Sequence, residues 1–206
     1  MYFFSRNTLQ VSLISLHLAL VSIGVKANET IYENLVYKVD FPSVGQATLI
    51  RPNSKNIESL DIPQTLNING LLYSVTNIND YAFADLELKT ISIPPTIKKI
   101  GRFSFYKNNI SVLVLNEGLE EIGNFAFFGN QINEISFPET LRNLGDFSFA
   151  NNVITDVLIP LRLKEISDGS FASNRIKSVE LNSTQIIGDF AFNDNEIEYI
   201  NFPNFI

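Results

Sequence analysis

The 206-residue chain has no cysteine, no tryptophan and a single histidine, His17. Without cysteine there is no disulfide framework, no thiolate nucleophile and no zinc–thiolate site. His17 lies in an N-terminal stretch that reads as a removable leader, so the mature chain would hold neither Cys nor His. That excludes Ser-His-Asp and Cys-His catalysis and every His-ligated metal site. Positive charge is also scarce, with 15 Lys and Arg against 22 Asp and Glu, a formal net charge of −7. A nucleic-acid binder would normally carry a basic face, so no nucleic-acid partner is expected. Apolar runs of spanning length are absent beyond the leader, so no membrane span is expected once it is removed.

Residues 1–27 have the order of a secretory signal peptide. Arg6 supplies a modest positive start. Leu9 to Val25 is largely apolar, and Val25-Lys26-Ala27 resembles a small-x-small cleavage site. Cleavage after Ala27 would leave 13 basic and 22 acidic residues in 28–206, a net charge of −9. An uncleaved anchor is the competing reading, but Ser12, Ser15, His17 and Ser22 break the run. The expected location is secreted or cell surface.

What the chain has in abundance is a repeat. Ile-Gly-Arg-Phe-Ser-Phe (100–105) returns as Ile-Gly-Asn-Phe-Ala-Phe (122–127), Leu-Gly-Asp-Phe-Ser-Phe (144–149), Ile-Ser-Asp-Gly-Ser-Phe (166–171) and Ile-Gly-Asp-Phe-Ala-Phe (187–192). The closing Phe falls at 83, 105, 127, 149, 171 and 192, in steps of 22 and finally 21. An asparagine follows at 108, 130, 152, 174 and 195. Then comes a short alternating stretch, as in Ile91/Ile93, Leu113/Leu115, Val157/Ile159 and Val179/Leu181. Period-two alternation is a strand with one buried face. A strand every 22 residues without a hairpin between copies must stack parallel to its predecessor, about 4.8 Å away. The asparagines are expected to pair with backbone groups left free at the turn into the strand, and the Phe columns to form a stacked convex spine. Gly101, Gly123, Gly145 and Gly188 imply close backbone packing, and Pro94, Pro138, Pro160 and Pro203 stop the strand.

Residues 60–206 therefore form the repeat array. Its first copy carries nine extra residues, because Ile62-Pro63 precedes Ile93-Pro94 by 31. Asn69-Gly70 within them is a favoured two-residue hairpin turn. Residues 28–59 alternate weakly around Pro42-Ser-Val-Gly45 and predict a β-hairpin cap followed by a polar connector.

Asn-x-Ile-x-x-Val-x-Leu, as in Asn174 to Leu181, resembles the strand segment of leucine-rich repeats. Ile-Pro-x-x-(Ile/Leu)-x-x-Ile-Gly-x-x-(Ala/Ser)-Phe-x-x-Asn is similar to the BspA-type class of that family. The resemblance covers residues 60–206. It implies an α/β solenoid with a parallel β-sheet on the concave side and short helical turns on the convex side. It also implies an exported or surface protein used in adhesion and protein recognition. Leu86 departs from the pattern where Asn is expected, Asn116 and Asn182 stand in place of Pro, and Gly169 in place of an aromatic.

Candidate chemistry is sparse. Glu120-Glu121 and Asp194/Glu196/Glu198 are carboxylate groups able in principle to act as acid and base or to bind calcium. Their slots hold Lys98-Lys99 or Arg142-Asn143 in other copies, so solvated surface charge is the plainer reading. The glycines come one per coil, never as a phosphate loop. Neither cofactor nor metal is expected, and no catalysis. The candidate site is the concave face, where parallel strands set equivalent residues in columns. Val112, Val114, Leu158 and Tyr199 lie there among Glu134, Asp156 and Glu180, apolar residues rimmed by acid. The leading expectation is a non-catalytic module that binds a protein or cell-surface macromolecule. The alternatives are a structural spacer within a longer repeat protein and a glycan-processing enzyme using a carboxylate pair. After Phe202-Pro203 no capping element follows, so end-to-end self-association through the last coil is also expected.

Overall fold

The computed structural model describes residues 29–39, 45–54 and 57–202; residues 1–28, 40–44, 55–56 and 203–206, and with them the expected leader and its cleavage site, lie outside them. The chain enters through β1 (Glu29–Tyr32), β2 (Leu35–Val39) and β3 (Gln46–Pro52), an antiparallel meander. Glu33 and Asn34 turn β1 into β2 with both φ angles positive, at 47° and 64°, the geometry of a two-residue hairpin. β4 (Ser59–Asp61) opens the concave side. β5 (Thr65–Ile68) and β6 (Leu71–Ile78) then pair antiparallel across Asn69-Gly70, again with both φ positive. β3 runs parallel to β6, with Ala47 opposite Val75, and so covers the first coil.

Each later coil repeats one plan. The strands are β7 (Thr90–Ile93), β8 (Lys99–Ile100), β9 (Val112–Leu115), β10 (Glu121–Ile122), β11 (Asn143–Leu144), β12 (Asp156–Leu158), β13 (Glu165–Ile166), β14 (Ser178–Glu180), β15 (Ile186–Ile187) and β16 (Tyr199–Asn201). The concave ladder is parallel, but it comes in two pieces, β4-β7-β9 and β12-β14-β16. Residues 133–137 lie between them without strand pairing. The continuous concave sheet expected from the repeat is thus interrupted at one coil. A second ladder runs along the flank, through β6-β8-β10-β11 and then β13-β15. Beyond β6 it is built from two-residue strands.

The convex helical turns implied by the resemblance are not present, and among the described residues there is no helix at all. Two features of each coil exclude one. Phe103, Phe125, Phe147, Gly169 and Phe190 all have φ between 52° and 59°, a left-handed value that ends a right-handed helix. Alternate N–H groups also leave the coil. Phe103, Phe105 and Lys107 donate to the carbonyls of Asn124, Ala126 and Phe128 at 3.0, 2.8 and 2.8 Å. A helix would need those donors within its own turn. The solenoid is therefore all-β, with hydrogen-bonded turns on its convex side.

The core runs the length of the array. Phe83, Phe105, Phe127, Phe149 and Phe171 are fully buried. Their rings stack coil on coil at 5.1–6.0 Å between centroids. Tyr81, Phe103, Phe125 and Phe147 form a second stack at 4.8–5.1 Å, half-buried or exposed at the surface rather than in the core. Gly145 shows how closely the coils pack at the corner: a Cβ there would lie 2.4 Å from the backbone nitrogen of Asn124, although Ser167 fills the same slot one coil on.

The asparagine column closes the interior. Asn152 Nδ2 donates to the carbonyls of Phe127 and Phe149 at 2.9 and 3.1 Å, and its Oδ1 accepts from Ile132 N–H at 3.1 Å. Asn108, Asn130, Asn174 and Asn195 repeat the arrangement. Leu86 breaks the column for a simple reason. The asparagine reaches back to the preceding coil, and the first coil has no such coil behind it.

Candidate functional site: the concave face

The exposed positions of the concave strands alternate with core residues, so two columns face outward. β-pairing places Ser59 beside Thr90 and Val112, and Asp61 beside Ser92 and Val114. In the C-terminal piece Asp156 lies beside Ser178 and Tyr199, and Leu158 beside Glu180 and Asn201. Val112 and Val114 share one face of β9 and are 53% and 44% exposed. Leu158 and Tyr199 are similarly open, at 59% and 57%. The seven sequence-derived residues thus fall into two groups. Val112 and Val114 belong to the N-terminal piece. Asp156, Leu158, Glu180 and Tyr199 belong to the C-terminal piece. Glu134 is exposed in the unpaired stretch between them.

Two of the acidic groups, Asp156 and Glu180, are held in place. Asp156 accepts from Ser178 Oγ at 2.5 Å and from Thr155 Oγ1 at 2.8 Å. The Ser178 hydroxyl, then that of Thr155, hold its carboxyl below the usual aspartate range, and Lys177 adds to this. Glu180 accepts from Asn201 Nδ2 at 2.7 Å. Glu58 pairs with Lys89 at 3.0 Å at the rim, where both are well exposed. Thr155, Ser178 and Asn201 were not singled out from sequence. For Ser178 and Asn201 the only signal was a place in the columns beside the acids, and for Thr155 its position next to Asp156.

An open depression of about 530 Å³ lies where the first coil turns into the concave face, lined by Ile57, Glu58, Asp85, Leu86, Glu87, Lys89 and Asn109. Among the described residues no group of three or more His, Asp or Glu is placed to hold a metal ion. Nor is any helix long and apolar enough to cross a membrane. The arrangement offers an open surface of apolar side chains beside oriented carboxylates.

Among curated proteins none matches by sequence. Solved structures match the fold. A leucine-rich cell surface protein from Faecalibacterium prausnitzii superposes with a TM-score of 0.61 at 17% identity, over 82% of this chain and 55% of that one. The pneumococcal vaccine antigen PcpA gives 0.69 at 20% identity, over 84% and 49%. A leucine-rich repeat protein from Bacteroides ovatus gives 0.65 at 20% identity, over 84% and 53%. The chain spans about half the length of each of these. The family profile of the BspA type leucine rich repeat region matches in six copies, over residues 53–128 and 98–206. That profile covers well over half of the chain, and the chain belongs to the BspA-type leucine-rich repeat family.

Proposed function

We propose that this chain is an exported, surface-associated recognition module whose concave face binds a basic protein partner without catalysing a reaction. The observation that carries the reading is the pairing of exposed apolar side chains with carboxylates on the concave side, two of which, Asp156 and Glu180, are hydrogen-bonded in place. Val112, Val114, Leu158 and Tyr199 supply desolvatable contact area, and Glu134, Asp156 and Glu180 set the sign of the partner. Leucine-rich repeat proteins generally bind proteins, and one solved neighbour is described as a cell surface protein. The division into a leader, a cap at 28–59 and repeats from 60 onward belongs to the same reading. A spacer role within a longer protein draws support from the half-length match to the solved neighbours.

The test is a binding screen of residues 28–206 against extracellular-matrix and cell-surface proteins, followed by kinetics. Association should slow as salt rises past about 0.15 M, where the screening length is near 8 Å. The double variant Glu134→Lys, Asp156→Lys should slow it further. An on-rate indifferent to both salt and charge reversal would remove the concave face from the account.

A further inference from the structure

Two neighbouring coils in the middle of the array, residues 133–152 and 155–174, meet differently from the rest. Among the described residues none shares a backbone hydrogen bond with 133–137. The flank ladder stops at the same junction: β11 pairs with β10, and β13 with β15, but β11 and β13 do not pair. Elsewhere the corner glycine closes that rung. Gly123, Gly145 and Gly188 donate their N–H groups to the carbonyls of Ile100, Ile122 and Ile166 at 2.9, 2.8 and 2.7 Å. Here the Leu144 carbonyl accepts instead from the Ser167 hydroxyl, at 2.5 Å. The backbone rungs that still cross lie on the convex side, where Phe147, Phe149 and Asn151 donate to Asp168, Ser170 and Ala172, each at 2.9 Å. One more crosses at the asparagine turn, from Val153 to Ile132 at 3.0 Å.

Three departures from the repeat meet at this junction, and each has a steric consequence. Ser167 stands in the corner slot, where a Cβ on Gly145 would lie 2.4 Å from the backbone of the coil before it. The Cβ that Ser167 does carry therefore holds its coil off, and the longer reach of the hydroxyl bridges the gap. Phe137 puts a larger ring in the slot of Ile93, Leu115, Ile159 and Leu181. It is buried, edge-on to Phe149 and Phe171 at 5.4 and 6.0 Å. The Phe149–Phe171 step of the spine is widened to 6.0 Å, against 5.1 Å for each of the two steps before it. Gly169 removes the ring that would continue the second stack, and the Phe147 ring leans into the space where a Cβ would stand.

We propose that this junction is a hinge. The ladders β4-β7-β9 and β12-β14-β16 move as two plates about the convex rungs, and the concave side opens and closes between them. Opening breaks no ladder bond, because none bridges the junction on the concave or flank side. It releases the Ser167 hydroxyl from Leu144 and the Leu161 N–H from the Glu139 carboxylate, which it meets at 3.1 Å. Hinges place the backbone change in a few residues at element ends, and here those are 133–137 and 167–169. The motion alters the separation of Val112 and Val114 from Asp156 and Leu158, so the curvature of the concave face adjusts to what it meets. The hinge belongs to the free chain and stands whether or not that face binds a partner.

The chain has no cysteine of its own, so nitroxide labels go only where cysteine is introduced. The pair Lys89→Cys, Lys177→Cys spans the junction on the concave side, and Asp80→Cys, Asp168→Cys spans it on the convex side; all four positions are exposed. Pulsed electron resonance on the full chain should give a broader distance distribution for the concave pair than for the convex pair. Ser167→Gly, which restores the corner seen at Gly145, should narrow the concave distribution to the width of the convex one. Hydrogen exchange should slow at the same time for the amide at position 167, as its N–H regains the Leu144 carbonyl. Adding Phe137→Leu should also shorten the mean concave distance; if that core change prevents folding, Ser167→Gly carries the test alone. Equal widths for the two pairs would mean an array that flexes everywhere or nowhere, and would overturn the proposal. So would a concave width that Ser167→Gly leaves unchanged.

Discussion

Single side chains in this array have unequal roles despite occupying equivalent slots. Phe127 is fully buried and stacked at 5.1 Å on both Phe105 and Phe149. Phe127→Ala should destabilise by about 3–5 kcal/mol, the range for deleting a buried aromatic, and urea titration would measure it. Ser148 makes the opposite case. Its hydroxyl is buried without a hydrogen-bond partner, and Ala126 and Ala191 fill the same slot in other coils. Ser148→Ala should raise stability by about 1 kcal/mol, by removing an unpaired buried polar group; a lower urea midpoint would refute that account. Asp156 offers a pH readout. Its carboxyl is held low by the hydroxyls of Ser178 and Thr155, so whatever they contribute is present above the ordinary aspartate pKa and is lost as pH falls through the lowered one. In Ser178→Ala the Asp156 carboxyl should titrate at higher pH by carbon NMR.

At the scale of elements, the sequence showed some strands plainly and hid others. Ile91/Ile93, Leu113/Leu115 and Val157/Ile159 alternate strongly enough to announce the concave strands β7, β9 and β12. The flank ladder escaped notice because β8, β10 and β11 have only two residues each, too few for any periodicity. Helical turns on the convex side were expected from the resemblance. The left-handed φ of Phe103, Phe125 and Phe147 and the donation of their N–H groups to the next coil are tertiary effects, invisible in a local pattern. The concave site was legible as columns but not as a divided surface. Ile135 and Phe137 keep the strand alternation in the coil that lacks a strand. The corner glycines carry an element-scale test. Gly145→Ala would push a methyl to within 2.4 Å of the Asn124 nitrogen, forcing two coils apart, and should cost about 1–3 kcal/mol.

The whole molecule is quasi-one-dimensional, with each coil touching only its neighbours. Its two described ends are unlike. The first coil is covered by β3, with Val75 and Ile78 buried beneath the meander, whereas Ile187 and Ile200 in the last coil are open. Stability should therefore be graded along the axis. Native-state hydrogen exchange should show the lowest protection in residues 186–202 and the highest around Phe105 to Phe149. Uniform protection from end to end would mean that the array opens only as a unit.

The backward reach of the asparagines also gives the solenoid a direction in time. Ile132 N–H and the carbonyl of Phe127 belong to one coil, yet the side chain that satisfies them, Asn152, is made 20 and 25 residues later. On a ribosome, each coil would wait half-finished until its successor emerged, with the meander serving as the template for the first. The same offset displaces the damage done by mutation. Asn152→Ala should leave its own coil closed by Asn174 and uncover the one already built, so the amide of Ile132 should exchange first. A lesion in this protein is felt upstream of where it is written.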